Sequence, residues 1–139
     1  MSKLECILLI DDDEPTNFIN RFVIEKSELD VMVHALTEAK DGLKYLQGED
    51  PFADREAFPT PGIIFLDINM PGMNGWEFLE EYNKLKSDQR AKVVVTMLTT
   101  SLNPDDEDKA RSLGIVAEFC KKPLTVEAVH ALAEKHFSE

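Results

Sequence analysis

Residues 63–75 read IIFLDINMPGMNG, and this stretch places a charge at the end of an apolar run. No polar side chain interrupts Ile63–Leu66, which is typical of a strand covered on both faces of a parallel sheet. Asp67 follows at once, and Pro71 with the two glycines predicts a tight loop before a helix that Asn74 can cap. The pattern predicts a carboxylate that is exposed and rigidly presented between a buried strand and a helix.

Similar apolar runs recur along the chain and alternate with amphipathic stretches. The predicted strands are Cys6–Ile10, Val31–Ala35, Ile63–Leu66, Val93–Leu98 and Ile115–Phe119. Alternation of this kind is the signature of a parallel sheet wrapped by helices, so the fold class is α/β.

Caps and helical spacing predict the helices between these strands. Pro15 suits the first turn of a helix, and Thr37, Asn103 and Thr125 are positioned to cap three others. We expect the first helix to turn an apolar face inward, made of Phe18, Ile19, Phe22 and Val23. The polar segment 48–62 is long for a helix-to-strand connection, and of a plain surface insertion and a partner-specific loop we prefer the former.

The length and the net charge of the chain exclude some classes of function. The chain has 139 residues, which suits a single domain with a core from about residue 4 to residue 137 and no output domain. A net charge of −12 opposes binding to nucleic acid or to an anionic membrane, and it favours a protein partner with a basic face. No apolar run approaches a membrane span or a signal-peptide core, so we expect a cytoplasmic protein.

Polar residues follow four of the predicted strands, where ligands bind in parallel α/β sheets. They are Asp11–Asp13, Asp67, Thr99–Ser101 and Lys121–Pro123. Several carboxylates crowded at one edge repel each other, and oxygen ligands of this kind suit Mg²⁺. For Asp13 and Glu14, we prefer the simpler interpretation of an acidic, solvated helix start.

The same edge could support phosphoryl transfer. Asp67 could act as an oxygen nucleophile, while Mg²⁺, the Lys122 ammonium and the Thr99 hydroxyl could neutralise the transferred group. A lone lysine is usually solvated and a lone threonine at a strand end is usually a cap. Their coincidence at one edge favours the functional interpretation.

Four motifs follow one another along the chain: ILLIDD at 7–12, FLDINMP at 65–71 with Gly75, MLTT at 97–100, and Lys122-Pro123. Together they make the chain resemble the receiver domain of bacterial two-component response regulators, of the stand-alone, chemotaxis-regulator type. The resemblance spans about residues 4–137 and implies a flavodoxin-like (βα)5 doubly wound sheet with strand order 2-1-3-4-5. It also implies a phosphoryl acceptor with possible self-dephosphorylation, and no enzyme in the ordinary sense.

The resemblance assigns roles to individual residues. Asp67 would accept the phosphoryl group from a sensor histidine kinase or a histidine phosphotransfer protein. Asp12, Asp67 and the Asn69 carbonyl would bind Mg²⁺ directly, and Asp11 would hold it through water. Thr99 and Lys122 would contact the phosphoryl oxygens, with a cis bond before Pro123 directing Lys122 inward. Thr99 and Phe119 would then switch a surface that binds a downstream target, either as a monomer or as a phosphorylation-dependent dimer.

Three alternatives compete with this interpretation, and the sequence argues against the first two. A haloacid-dehalogenase-type phosphotransferase would need an acid two residues after the nucleophile, where this chain has Asn69. A flavodoxin-like FMN carrier would need a phosphate-binding loop after strand one, where this chain has three aspartates. The third alternative is a receiver-like scaffold that binds proteins without being phosphorylated.

Overall fold

A computed structural model describes residues 4–89, 94–99, 103–116 and 118–137, with the backbone alone for residues 94–99. Within these ranges the strands are β1 (Cys6–Ile10), β2 (Met32–Leu36), β3 (Ile63–Asp67), β4 (Val94–Thr99) and β5 (Glu118–Lys121). The α-helices are α1 (Glu14–Lys26), α2 (Ala39–Gln47), α3 (Gly75–Tyr82), α4 (Pro104–Leu113) and α5 (Val126–Phe137), and Ser87–Gln89 form a short 3₁₀ turn.

The described strands form one parallel sheet in the order β2-β1-β3-β4-β5, which confirms the predicted order. Two apolar layers cover its faces. One packs α2, α3 and α4 against Leu8, Ile10, Ile64 and Leu66, and the other packs α1 and α5 against Ile7, Leu9, Ile63 and Phe65. Because strands of a parallel sheet point the same way, all their carboxyl ends meet along one edge.

Helix starts follow the predicted cap chemistry at three positions. The Asn74 side chain accepts from the Glu77 amide in a reciprocal capping box, and Asn103 accepts from the Asp105 amide. Thr125 accepts from the Ala128 amide at the start of α5. The prediction for Thr37 was wrong, because α2 begins one residue later and Glu38 occupies its N-cap position without a side-chain hydrogen bond.

The fifth strand was predicted too early. It runs from Glu118 to Lys121, whereas the apolar pattern indicated Ile115–Phe119, of which residue 117 lies outside the described part. Gly114 ends α4 with a positive φ of 73°, and Ile115 and Val116 then pack against the core before the ladder begins. Their apolar character therefore reflects burial in a connection. Val93, the predicted start of strand four, also lies outside the described residues.

The predicted inward face of α1 was also wrong. Phe18, Ile19 and Phe22 are exposed, with 73%, 51% and 54% of their surface accessible, while Val23 packs partly against the core. The residues that face the sheet are Asn17, Asn20 and Ile24. Near the carboxyl end of the sheet the helix meets main-chain carbonyl groups, so a polar side chain is the better fit there than an apolar one.

This orientation of α1 predicts a contrast in stability. Ile24→Ala should lower the free energy of unfolding by about 2–5 kcal/mol, since it empties a fully buried position. Phe18→Ser should change it by no more than about 0.5 kcal/mol, since the ring is already in water. Urea denaturation of both variants measures the difference. Equal losses would mean that α1 presents its other face to the sheet.

Segment 48–62 is more than a surface insertion in its packing. Phe52 and Phe58 join the apolar layer around Tyr45, and the Tyr45 hydroxyl donates to the Pro59 carbonyl at 2.8 Å. The Arg55 guanidinium donates to the Tyr45 carbonyl at 2.7 Å. The segment is therefore part of the folded core on the α2 side.

No α-helix in the described ranges is long and apolar enough to cross a membrane.

Candidate functional site

The turn after β1 carries three consecutive aspartates that differ in their surroundings. Asp11 is buried, and its Oδ1 accepts from the Asp13 amide at 3.0 Å. Asp12 is exposed. Asp13 is the N-cap of α1, and its carboxylate accepts from the Thr16 amide and hydroxyl. Asp13 is therefore engaged in starting the helix, which leaves Asp11 and Asp12 for the edge of the sheet.

Asp67 is the last residue of β3 and is only 7% exposed, so the expectation of an exposed carboxylate was wrong. The loop after it returns so closely that the Gly75 amide donates to the Ile68 carbonyl at 2.8 Å. A Cβ added at Gly75 would lie 2.6 Å from the Asp67 carbonyl oxygen and 2.9 Å from the Ile68 Cα, both main-chain atoms that cannot move aside cheaply. Glycine is required there, and the close return holds the Asp67 main chain in place.

Lys122 connects the two buried acids. Its Nζ donates to Asp11 Oδ2 at 2.7 Å and lies 3.0 Å from Asp67 Oδ1. The Lys122–Pro123 peptide bond is cis, as the resemblance implies. Lys121, the residue before it, is the exposed last residue of β5. The structure thus brings Lys122 to the acids that follow β1 and β3.

The carboxylates of Asp11, Asp12 and Asp67 form a cluster in which one oxygen of each lies within 4.8 Å of the others. A cluster of this size with oxygen donors alone fits a hard divalent cation such as Mg²⁺. One lysine cannot balance three negative charges, so the set is electrostatically incomplete by itself. Asp12 is the exposed member of the cluster.

Burial raises the pKa of Asp67 above its ordinary value. The hydrogen bond from Lys122 acts in the opposite direction, and the negative charge of Asp11 adds to the increase. For Lys122, burial would lower the pKa, but the hydrogen bonds to Asp11 and Asp67 outweigh it and the pKa is raised. The ionised Asp67 carboxylate is therefore held at a cost in free energy that a bound cation would offset.

The raised pKa of Asp67 predicts how Asp67→Asn affects stability. Because the folded pKa exceeds the unfolded value of about 3.9, ionising Asp67 lowers the stability of the parent as pH rises through this range. Without Mg²⁺, the variant should therefore gain in melting temperature relative to the parent as pH rises from about 3, with the gain levelling off above the folded pKa. Thermal unfolding across pH in EDTA measures it, and a gain independent of pH would contradict this cause.

The other predicted site residues are placed less fully. Asn69 is exposed, two residues beyond β3. The Thr99 backbone ends β4 in register with Lys121, while its side chain, like Thr100 and Ser101, lies outside the described part of the chain. Phe119 lies in β5 and packs partly against the core, lining a small cavity of about 100 Å³ with α4 residues.

Asn17 contacts the site and was absent from the sequence-based site prediction. Its Nδ2 donates to the carbonyl oxygens of Asp11 at 2.9 Å and Leu36 at 3.2 Å. A signal was present in the spacing, since Asn17, Asn20 and Ile24 recur at intervals that share one helix face. The neighbouring apolar residues also have helical spacing, so this polar face was not recognised.

Comparison with known proteins gives one consistent result. Residues 7–134 match the family model described as the response regulator receiver domain. The chain is 35% identical over 100 residues to response regulator Rcp1 from Synechocystis sp., a match that covers 72% of this chain and 65% of Rcp1. It is 30% identical over 120 residues to the transcriptional regulatory protein HprR of Escherichia coli, covering 86% of this chain and 45% of HprR.

Solved structures agree. A two-component response regulator from Cytophaga hutchinsonii superposes with a TM-score of 0.84 at 33% identity, covering 99% of this chain and all of that chain. The Mn²⁺-bound form of response regulator Rcp1 superposes with a TM-score of 0.73 at 26% identity, covering 97% of this chain and 95% of that chain. With its fold, its acidic edge and these relatives, the chain belongs to the response regulator receiver domain family of two-component signalling systems.

Proposed function

We propose that this chain is a response regulator receiver that accepts a phosphoryl group on Asp67 with Mg²⁺ as the metal. The observation that carries the proposal is the cluster of Asp11, Asp12 and Asp67 with Lys122 bridging two of its members. Nucleophile, cation ligands and a fixed positive charge then occupy one edge of a rigid sheet. The phosphoryl donor would be a phosphohistidine on a sensor kinase or a phosphotransfer protein.

In the reaction, an Asp67 carboxylate oxygen attacks phosphorus as the bond between phosphorus and the donor's imidazole nitrogen breaks. The electron pair of that bond stays with the imidazole, and Asp67 becomes an acyl phosphate. Lys122 lies where its ammonium would neutralise a phosphoryl oxygen, and the Thr99 hydroxyl would donate to another. Mg²⁺, when bound, supplies charge neutralisation for the phosphoryl oxygens.

The metal ligands follow from which oxygens are already engaged. Both Asp11 carboxylate oxygens have protein donors, the Asp13 amide on Oδ1 and Lys122 Nζ on Oδ2. Asp12 is exposed at the cluster and is not part of the helix cap. This supports direct ligation by Asp12 and Asp67, with Asp11 acting through water and the Asn69 carbonyl completing the set. The Mn²⁺-bound structure of Rcp1 supports a divalent metal in this family of sites.

The output would pass through the surface formed by α4, β5 and α5. Converting a population from 1:99 to 99:1 requires about 5.5 kcal/mol of differential stabilisation, which new charge-assisted bonds at Thr99 and Lys122 could supply. Phe119 lines a cavity together with residues of α4, whose first turn carries Asp105, Asp106 and Glu107. We therefore propose a downstream protein with a basic face, bound by a monomer or by a phosphorylation-dependent dimer in the cytoplasm.

The direct test is intact-mass measurement after incubation with acetyl phosphate, with Mg²⁺ or with EDTA. We expect a gain of one phosphoryl group that depends on Mg²⁺, and a purified histidine kinase or phosphotransfer protein would extend the test to the natural donor class. Absence of both Mg²⁺ binding and phosphoryl uptake from every donor would contradict the proposal. It would leave a receiver-like scaffold that binds proteins without phosphorylation.

The assignment of the acidic run has its own test. Asp12→Asn should weaken Mg²⁺ binding at least about tenfold, or about 1.4 kcal/mol, because it removes a ligand charge. Asp13→Asn is the matched control, since asparagine also caps helices and the residue is engaged with Thr16. Calorimetric titration compares the two, and equal effects would mean that the metal ligands in this run are misassigned.

A further inference from the structure

Asn17 is a buried polar side chain with an unusual environment. It lies in the first turns of α1 with 5% of its surface exposed, facing the carboxyl end of the sheet. Its amide nitrogen donates to two main-chain carbonyls, those of Asp11 and Leu36. It thereby joins the ends of β1 and β2, the two strands on that side of the sheet.

The orientation of the Asn17 amide is determined by its neighbours. Both facing groups are carbonyl oxygens, which only accept hydrogen bonds, so Nδ2 must point towards them. The Asn17 Oδ1 then points away and is buried without a hydrogen-bond partner among the described residues. A buried, unpaired acceptor is costly, and the two hydrogen bonds that Nδ2 donates offset part of that cost.

The Asp11 carbonyl belongs to the peptide group that joins Asp11 to Asp12. Because that group is planar, holding its oxygen fixes the plane and with it the direction in which Asp12 leaves Asp11. The Asp11 side chain is already held by the Asp13 amide and by Lys122. Asp12 is exposed, and the peptide plane before it sets the direction from which its side chain extends.

We propose that Asn17 is a positioning residue for the cation site, fixing the peptide plane between Asp11 and Asp12 so that the Asp12 carboxylate meets those of Asp11 and Asp67. This rests on the proposed function. Partners that orient metal ligands from outside the ligand set typically change metal affinity about 10–100-fold when removed. Asn17 acts in this way through the main chain.

The test measures Mn²⁺ binding by electron paramagnetic resonance to the parent, Asn17→Ala, Asn17→Asp and Ile24→Ala. Asn17→Ala should raise the Mn²⁺ dissociation constant about tenfold. Asn17→Asp keeps the shape but loses the donor and adds a negative charge near the site. If the added charge alone mattered, Asn17→Asp would bind Mn²⁺ more tightly than the parent. If Asn17 positions the Asp12 carboxylate, Asn17→Asp should bind Mn²⁺ more weakly.

Ile24→Ala is the control for a general loss of stability, because Ile24 is buried on the same helix in the apolar layer away from the acidic turn. Its Mn²⁺ affinity should match that of the parent when circular dichroism shows both to be folded. In phosphorylation assays, Asn17→Ala should raise the Mg²⁺ concentration for half-maximal uptake and leave the maximal rate at saturating Mg²⁺ close to that of the parent. Asn17→Ser replaces Asn17→Ala if the alanine variant does not fold.

Parental Mn²⁺ affinity in the Asn17 variants, or an equal loss in Ile24→Ala, would overturn the positioning role while leaving the proposed function intact. Tighter binding by Asn17→Asp would overturn it as well. If the parent itself neither binds Mn²⁺ nor takes up a phosphoryl group, the proposed function fails and the inference fails with it.

Discussion

Replacing Asp67 with asparagine is expected to abolish phosphoryl incorporation from acetyl phosphate and Mg²⁺ completely. The amide has nearly the shape of the carboxylate but lacks a nucleophilic oxygen anion, so no acyl phosphate can form. The position also tolerates the change, since burial already disfavours the ionised carboxylate there. Intact mass after incubation measures the loss.

Asp13→Asn is the matched control for this experiment. It makes the same chemical change in the acidic run, at a residue engaged in capping α1, and should be phosphorylated like the parent. Circular dichroism establishes that both variants are folded. Phosphoryl uptake by Asp67→Asn at the parental rate would place the acceptor at another residue.

The second large effect is expected from Lys122→Ala. The Lys122 side chain is only 16% exposed and pairs with Asp11 and Asp67, whose side chains are 5% and 9% exposed. Removing it leaves two buried carboxylates without their cation, and breaking buried pairs of this kind costs roughly 3–5 kcal/mol. Urea denaturation in EDTA should therefore show a loss near about 3 kcal/mol, the lower end of that range because the cluster opens to solvent through Asp12.

Adding Mg²⁺ distinguishes an electrostatic cause of the stability loss in Lys122→Ala from a simple loss of packing. A divalent cation at the cluster would restore part of the missing positive charge, so the rise in melting temperature on adding Mg²⁺ should be larger for Lys122→Ala than for the parent. Lys121→Ala is the matched control, because Lys121 is adjacent but exposed, and it should change stability by no more than about 0.5 kcal/mol. Equal losses in both variants would contradict the pairing.

The same variant also tests the switching role. Asp67 keeps its nucleophilic oxygen in Lys122→Ala, so intact mass should still show phosphoryl uptake. We expect phosphorylation of the parent to change the nuclear magnetic resonance signals around Phe119. In Lys122→Ala the phosphoryl group would lack one of its bonding partners, so this change should be strongly reduced. A parental response would assign the coupling to other groups.

Much of this fold could be predicted from local patterns. Buried parallel strands appear in the sequence as apolar runs, so β1, β3 and the polar residues after them were identified from the local sequence alone. Asn74, Asn103 and Thr125 were recognised as caps because a cap acts on amides two or three residues away. In each of these cases the cause and its effect lie within a few residues of one another.

Predictions failed where one apolar pattern in the sequence is compatible with two different structures. Ile115 and Val116 resemble a strand, yet they pack in the connection before β5. Phe18, Ile19 and Phe22 have the spacing of a buried stripe, yet the sheet presents carbonyl oxygens to that helix and selects Asn17 instead. Periodicity shows that a helix has distinct faces, but the partner surface decides which of them is buried.

Asp11, Asp12, Asp67 and Lys122 could be predicted to share one edge of the sheet because each ends or follows a strand. Their distances could not, because Lys122 reaches Asp11 across 111 residues of sequence. Sheet order and helix packing bring these charges together and remove water from around Asp67, and this raises the pKa of its carboxyl group. Electrostatic coupling depends on separation and burial in three dimensions, and only the folded chain sets either quantity.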